Sequence, residues 1–265
     1  AARQEFQMIA EGGVQDLSAR MALYMQSLNG AAALVNASDE VTAVDFSNYV
    51  ATLDIGSNLP GINGVGLIVP VATDGLGAFE AGMRDRGVRD FTVHPTVAGP
   101  EHFIIQYIFP RQPNIQAEGL DIAFEEGRRT AAIRARETGQ AQLTPRILLV
   151  QDAEQRPGFL LLRPVFTVPE PGAQNGIFRG WVYAPFVGAN LLTQLSSDQL
   201  RNYQISVYDG EGMEPESLIF SDDPAGTSAG TYAASYKLPL YGRTWTVHFT
   251  STPGFDAVFQ SRSPL

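Results

Sequence analysis

The stretch from Gly119 to Thr144, GLDIAFEEGRRTAAIRARETGQAQLT, constrains this chain more than any other, because it carries a helix marked at both ends with a strand directly behind it. Asp121 stands where an N-cap belongs, with a carboxylate able to accept the free N–H groups of a first turn. Glu125 and Glu126 fall early in the helix and Arg134 and Arg136 fall late, so the charges oppose the helix dipole. Glu125 and Arg129 form an i,i+4 pair. Gly139, after Thr138, suits the left-handed residue that closes a helix. Phe124, Gly127, Ala131 and Ala135 recur at spacings of three and four. This narrow stripe of mostly small residues lets the helix lie close against whatever it covers.

The segments around this hub are helical first and β-rich afterwards. Residues 1–36 read as one long helix, with Phe6, Ile9, Gly13, Leu17, Tyr24, Leu28, Ala31 and Val35 on one seam. Such a seam either covers the chain's own sheet or pairs with a second copy. A second helix carries Val41, Phe46, Tyr49, Val50 and Leu53. Strands are expected at Val65–Val69, Phe91–His94, His102–Phe109, Arg146–Gln151 and Gly158–Phe166. The Pro- and Gly-rich run Val168–Gly176 reads as the internal boundary. A smaller β unit then starts with a strand at Phe178–Phe186 and ends in two long strands joined at Tyr241-Gly242-Arg243. The expected class is α+β: a long N-terminal helix followed by two antiparallel sheet units in tandem, with helices on one face.

Composition narrows the function. The 265 residues carry a net charge of −10, which argues against nucleic acid and against an anionic membrane surface. There is no Cys, which excludes thiol nucleophiles, disulfides and Cys-ligated metals. No apolar run of about 18 residues is present to span a membrane. No cofactor or metal motif is recognised. The glycines from Gly61 to Gly66 lack the strand-before, helix-after context of a dinucleotide loop. His94, His102 and His248 form no ligand pair. Gly226–Gly230 matches the G-x-S-x-G elbow, with Ser228 as nucleophile. It follows a polar loop rather than an apolar strand, so a serine hydrolase is the minor alternative.

Gly-Leu-Asp, a helix containing Arg-Ala-Arg-Glu-Thr-Gly, then Leu-Thr and an apolar strand resemble the core of a CHASE domain. Leu59–Gly66, Tyr107-Ile108-Phe109-Pro110, Gly158-Phe159 and Arg163–Phe166 match further landmarks of that family in order. CHASE domains are extracytoplasmic sensory modules of membrane-bound histidine kinases and nucleotide cyclases, including cytokinin receptors. The resemblance implies PAS-like sheets and a periplasmic small-molecule sensor with no chemistry of its own. It also implies flanking transmembrane helices and a homodimer through the N-terminal helix. The alternative within the same class is a ligand-free dimerisation spacer. The implied layout is a stalk at 1–37, a membrane-distal ligand-binding unit at 38–170, a membrane-proximal unit at 171–255, and a linker at 256–265 toward a second transmembrane helix.

Asp121 is the principal site candidate. It can serve as a helix cap, as a ligand acceptor, or as both. In cytokinin-binding members an Asp at this place bonds the adenine ring, so the resemblance implies an adenine-type ligand. Tyr107, Leu143 and Thr144 are the neighbouring candidates, and Phe91, Phe103 and Phe166 are candidate apolar walls.

Overall fold

The N-terminal seam forms one helix, α1 (Ala2–Ala37), in the computed structural model, which describes residues 2–172, 176–197, 202–226 and 230–260. At 1.5 Å per residue it reaches about 54 Å. Phe6, Ala10, Gly13, Leu17, Met21, Tyr24, Ser27, Leu28, Ala31, Ala32 and Val35 are its buried positions. They pack on the chain's own two sheets. The Phe6 ring centroid lies 5.6 Å from that of Phe255 at one end, and Tyr24 lies 5.5 Å from Phe186 further along.

The first sheet contains β1 (Val65–Ala72), β2 (Glu101–Phe109), β3 (Gln142–Leu143), β4 (Ile147–Leu148), β5 (Pro157–Phe166) and β6 (Phe178–Val187). Its order is β2-β1-β6-β5-β3, with β4 also on β5, and every pairing is antiparallel. The second sheet contains β7 (Tyr203–Asp209), β8 (Leu218–Ser221), β9 (Ala233–Leu240) and β10 (Arg243–Ser251), in the order β8-β7-β10-β9. The fold is therefore α+β, a long helix followed by two antiparallel sheets.

Several expectations need correction. The strand expected to open the second unit is β6, the central strand of the first sheet. It pairs with β5 along its whole length, from Gly158 opposite Val187 to Phe166 opposite Phe178. The run from Val168 to Gly176 is therefore the connection of a long hairpin, and its residues 173–175 lie outside the described residues. A Pro- and Gly-rich connection reads the same in both settings. Residues 91–94 form no strand and make only a single bridge, His94 to Leu120. Of Arg146–Gln151 only Ile147 and Leu148 pair.

Helices cover both faces of the first sheet, not one. Strand alternation sends Phe159, Leu161, Val182, Ala184 and Phe186 into the core shared with α1 and with α2 (Ala43–Leu53). It sends Leu160, Leu162, Trp181 and Tyr183 to the opposite face, where Ala131, Ala132 and Ala135 of the hub helix close over them. A short α3 (Ile55–Asn58) and then α4 (Leu76–Asp85) follow α2, and α4 packs on the α1 side through Met83.

The hub helix is α5 (Glu126–Thr138), and Gly139 (φ 68°) closes it as expected. Its N-cap is Glu125, not Asp121. The chain is extended at Glu125 (φ −114°, ψ 131°), whose carboxylate accepts the N–H groups of Gly127 and Arg128. Asp121 instead caps a separate 3-10 turn, Ile122–Phe124. Behind α5, Leu143 N–H donates to Tyr241 O at the β9–β10 turn (2.8 Å). Arg146 N–H donates to Asp209 Oδ2 (2.9 Å), and Asp209 Oδ1 accepts from Arg243 Nε (2.7 Å). The hub is thus tied directly to the second sheet. The remaining helices are α6 (Gly188–Ser197) and α7 (Pro253–Gln260).

Candidate functional site

Asp121 is delivered by a segment hydrogen-bonded along the edge of β2. Gly119 adopts φ 79°, and a Cβ there would sit 2.2 Å from the Thr92 carbonyl oxygen, so only glycine fits. Asp121 N–H donates to His94 O (2.8 Å) and Ile105 N–H donates to Leu120 O (2.9 Å). The Asp121 side chain is 0% exposed. Its Oδ1 accepts from Phe103 N–H and Ala123 N–H, both at 3.0 Å, and its Oδ2 lies 2.8 Å from His102 Nδ1. The other ring nitrogen of His102 lies 3.0 Å from Thr73 Oγ1. That hydroxyl donates its single proton to Gly99 O. It therefore accepts from Nε2. The carboxylate is a closed knot with a single lone-pair position left.

The other candidates fall on two faces. Phe103 lies on the α5 side, its ring 4.7 Å from Trp181, which lies 4.8 Å from Phe178, which lies 5.1 Å from Phe166. Phe103 and Phe166 thus belong to one string of rings. Arg136 lies over three of them, 5.5 Å from Phe103, 5.6 Å from Phe178 and 5.9 Å from Trp181, and pairs with Glu101 at 2.9 Å. Tyr107, Leu143 and Phe91 belong to the α1-side core instead. The Tyr107 ring lies tilted against Phe46 (6.2 Å) and borders an open groove of about 330 Å³ with Val44, Arg86 and Phe109. Burial raises its phenol pKa. Thr144 is buried, and its Oγ1 accepts from Leu160 N–H (2.9 Å). Leu143 also borders a cleft of about 430 Å³ beside the first turns of α5, with Glu125, Gly127, Ala131, Pro145 and Arg243. The seven candidates do not converge on one cavity. Ser228 lies outside the described residues.

The α5 side holds two residues that the sequence pattern passed over. Arg128, in the first turn of α5, is 3% exposed, and Tyr183, on β6, is 1% exposed. Arg128 donates from Nη2 to Leu148 O (2.6 Å), but its Nε has no hydrogen-bond partner, and neither has the Tyr183 hydroxyl. Burial lowers the pKa of the Arg128 guanidinium and pushes that of the Tyr183 phenol up, and each group lies in the other's electrostatic field. On the sequence, Arg128 reads as one more charge on a solvated helix. The narrow stripe of small residues was the only signal that α5 sits close enough to bury it.

The matched family model is the CHASE domain, over residues 39–220. This chain belongs to the CHASE domain family. CHASE domains are extracytoplasmic sensory domains, and no helix among the described residues is long and apolar enough to cross a membrane. No curated protein matches the chain. Solved structures share the fold. The extracellular ligand binding receptor of Desulfohalobium retbaense superposes with a TM-score of 0.57 at 20% identity, over 93% of this CHASE chain and 40% of that receptor chain. This chain therefore spans less than half of that receptor chain. The ligand-binding domain of the Pseudomonas aeruginosa amino acid chemoreceptor PctC, in complex with GABA, gives 0.53 at 14% identity, over 93% and 100%. The periplasmic sensory domain of the Campylobacter jejuni chemoreceptor Tlp1 gives 0.54 at 10% identity, over 99% and 95%. At these identities the likeness is one of fold.

Proposed function

We propose that this CHASE domain is the periplasmic small-molecule sensor of a bacterial membrane receptor, with a ligand site between α5 and the first sheet and no chemistry of its own. The observation that carries this reading is the double attachment of α5. One face of the helix closes over a compartment holding unpartnered buried donors, while the strand behind it is hydrogen-bonded to the second sheet. An occupant that shifts α5 shifts β3 and the β9–β10 turn with it. A ligand transmits through this linkage only by binding one arrangement of α5 more tightly than another.

In this reading the distal unit ends after β6 rather than at residue 170, and the second sheet is the membrane-proximal unit. The starts of α1 and α7 lie close together through Phe6 and Phe255, which suits two transmembrane helices of a longer receptor. The output is a histidine kinase or a nucleotide cyclase. A homodimer along α1 uses its outer face, where Met8 and Leu23 are exposed, because the inner seam is taken. Asp121 orders the floor beside Phe103. An adenine-type ligand reaches it only through the one free position on Oδ2.

A thermal-shift screen against amines, carboxylic acids and N6-substituted adenines tests the reading on the wild type and Asp121→Asn. A compound at 100 times its dissociation constant adds about 2.7 kcal/mol. A hit lost in Asp121→Asn with unliganded stability kept assigns Asp121 to the ligand. A hit kept in the variant leaves Asp121 as part of the frame.

A further inference from the structure

We propose that Arg128 and Tyr183 form an anion subsite beneath α5, built for the carboxylate of a small ligand whose remainder is apolar. The proposal rests on the sensor reading above and names the chemistry of its site. Both side chains are more than nine-tenths buried, and each holds a donor with no hydrogen-bond partner among the described residues, although the Arg128 guanidinium also lies 5.1 Å from the Phe124 ring. A buried donor without an acceptor is costly, and native interiors rarely keep one. Glu125 meets Arg128 as an ion pair but not as a hydrogen bond. Its Oε2 lies 3.6 Å from Arg128 Nε, beyond hydrogen-bond reach, and both of its oxygens already accept the amides that start α5.

The two groups ask for the same partner. Arg128 offers an N–H from a group that stays charged. Tyr183 offers an O–H, because a phenol in this setting keeps its proton. Two donors and one positive charge fit an oxyanion, and a carboxylate can take one bond from each. Neither donor is free to turn away. The Nη2 bond to Leu148 O holds the guanidinium. The Tyr183 ring is seated on Gly66, where a Cβ would fall 2.3 Å from the ring. Tyr183 belongs to one buried apolar cluster with Ile108, Leu160, Leu162 and Trp181, so the rest of the ligand would meet hydrocarbon. Ala131 belongs both to this cluster and to the rim of the 430 Å³ cleft.

The test uses acetate, butyrate, benzoate and phenylacetate beside their carboxamides, by thermal shift and titration calorimetry, on the wild type, Tyr183→Phe and Arg128→Gln. At least one carboxylate should stabilise the wild type, and its carboxamide should not. Tyr183→Phe removes only the unmet hydroxyl, so the unliganded variant should melt at the wild-type temperature or above and bind the carboxylate roughly tenfold or more weakly. Arg128→Gln should abolish the carboxylate effect. Equal binding by Tyr183→Phe, equal binding of the carboxamides, or no response to any carboxylate overturns the subsite. So does a lower melting point of unliganded Tyr183→Phe, which would mean that an ordered water already satisfies the hydroxyl. An adenine or amine that binds all three proteins alike would sink the subsite and leave the sensor standing.

Discussion

Asp121 is held by three donors, and the side chain that replaces it decides what is lost. Asparagine can keep both amide bonds through its oxygen and turn its N–H₂ toward His102 Nδ1, with His102 still donating to Thr73. Alanine leaves Phe103 N–H, Ala123 N–H and His102 unanswered in the interior. We expect Asp121→Ala to lose about 3 kcal/mol and Asp121→Asn about 1 kcal/mol or less, read from denaturant titrations. Equal losses would mean that the His102 contact contributes little. Asp152 gives a pH test. Its bond with Arg156 holds its carboxyl below the usual range. A depressed pKa stabilises the fold above the unfolded value, near about 4, and that contribution is lost as pH falls through the folded value. Asp152→Asn should therefore flatten part of the acid limb of the stability curve and leave its alkaline side unchanged.

At the scale of elements, α5 is a helix pressed onto a sheet through alanines. Trp181 Nε1 donates to Ala132 O (2.9 Å), and Ala132 is fully buried. Ala132→Leu should force the helix outward and cost roughly 1–3 kcal/mol, with tryptophan fluorescence shifting as Trp181 loses its bond. An unchanged spectrum would mean that the helix accommodates the added volume without moving. The helix was legible in the sequence because its charges, its small-residue stripe and Gly139 all agree on its end and its face. Its start was misplaced by four residues. Asp121 and Glu125 both precede good helical sequence, and only the 3-10 turn between them decides which one caps. The candidate site was less legible. Phe103 lies on the α5 side and Tyr107 on the α1 side, while Leu143 belongs to the α1-side core and also borders the cleft beside α5; neighbouring strand positions alternate faces, and the sequence alone does not say which face a strand buried on both sides turns to a given helix.

Over the whole molecule, α1 joins the two sheets. Leu17 lies midway along it and is fully buried. Leu17→Ala should cost about 2–5 kcal/mol. Calorimetry should show one transition for both the variant and the wild type, because the two sheets share this helix as a common wall. Two separated transitions would show that the sheets fold independently. The long helix was plain from its periodicity. Its role as an internal brace was not, since the same spacing serves a coiled-coil seam. The placement of β6 was hidden for a similar reason, because a strand buried on both faces carries no mark of which sheet will claim it.

Hydrogen exchange of the amides in the β9–β10 turn, with and without a saturating ligand that binds under α5, tests the central claim most directly. The Leu143 amide bonds to Tyr241 O at that turn, so an occupant that displaces α5 should change exchange at Leu143 and in residues 240–243 together. Exchange that changes only within the first sheet, with Leu143 and the turn unaltered, would contradict a sensor that signals through this helix.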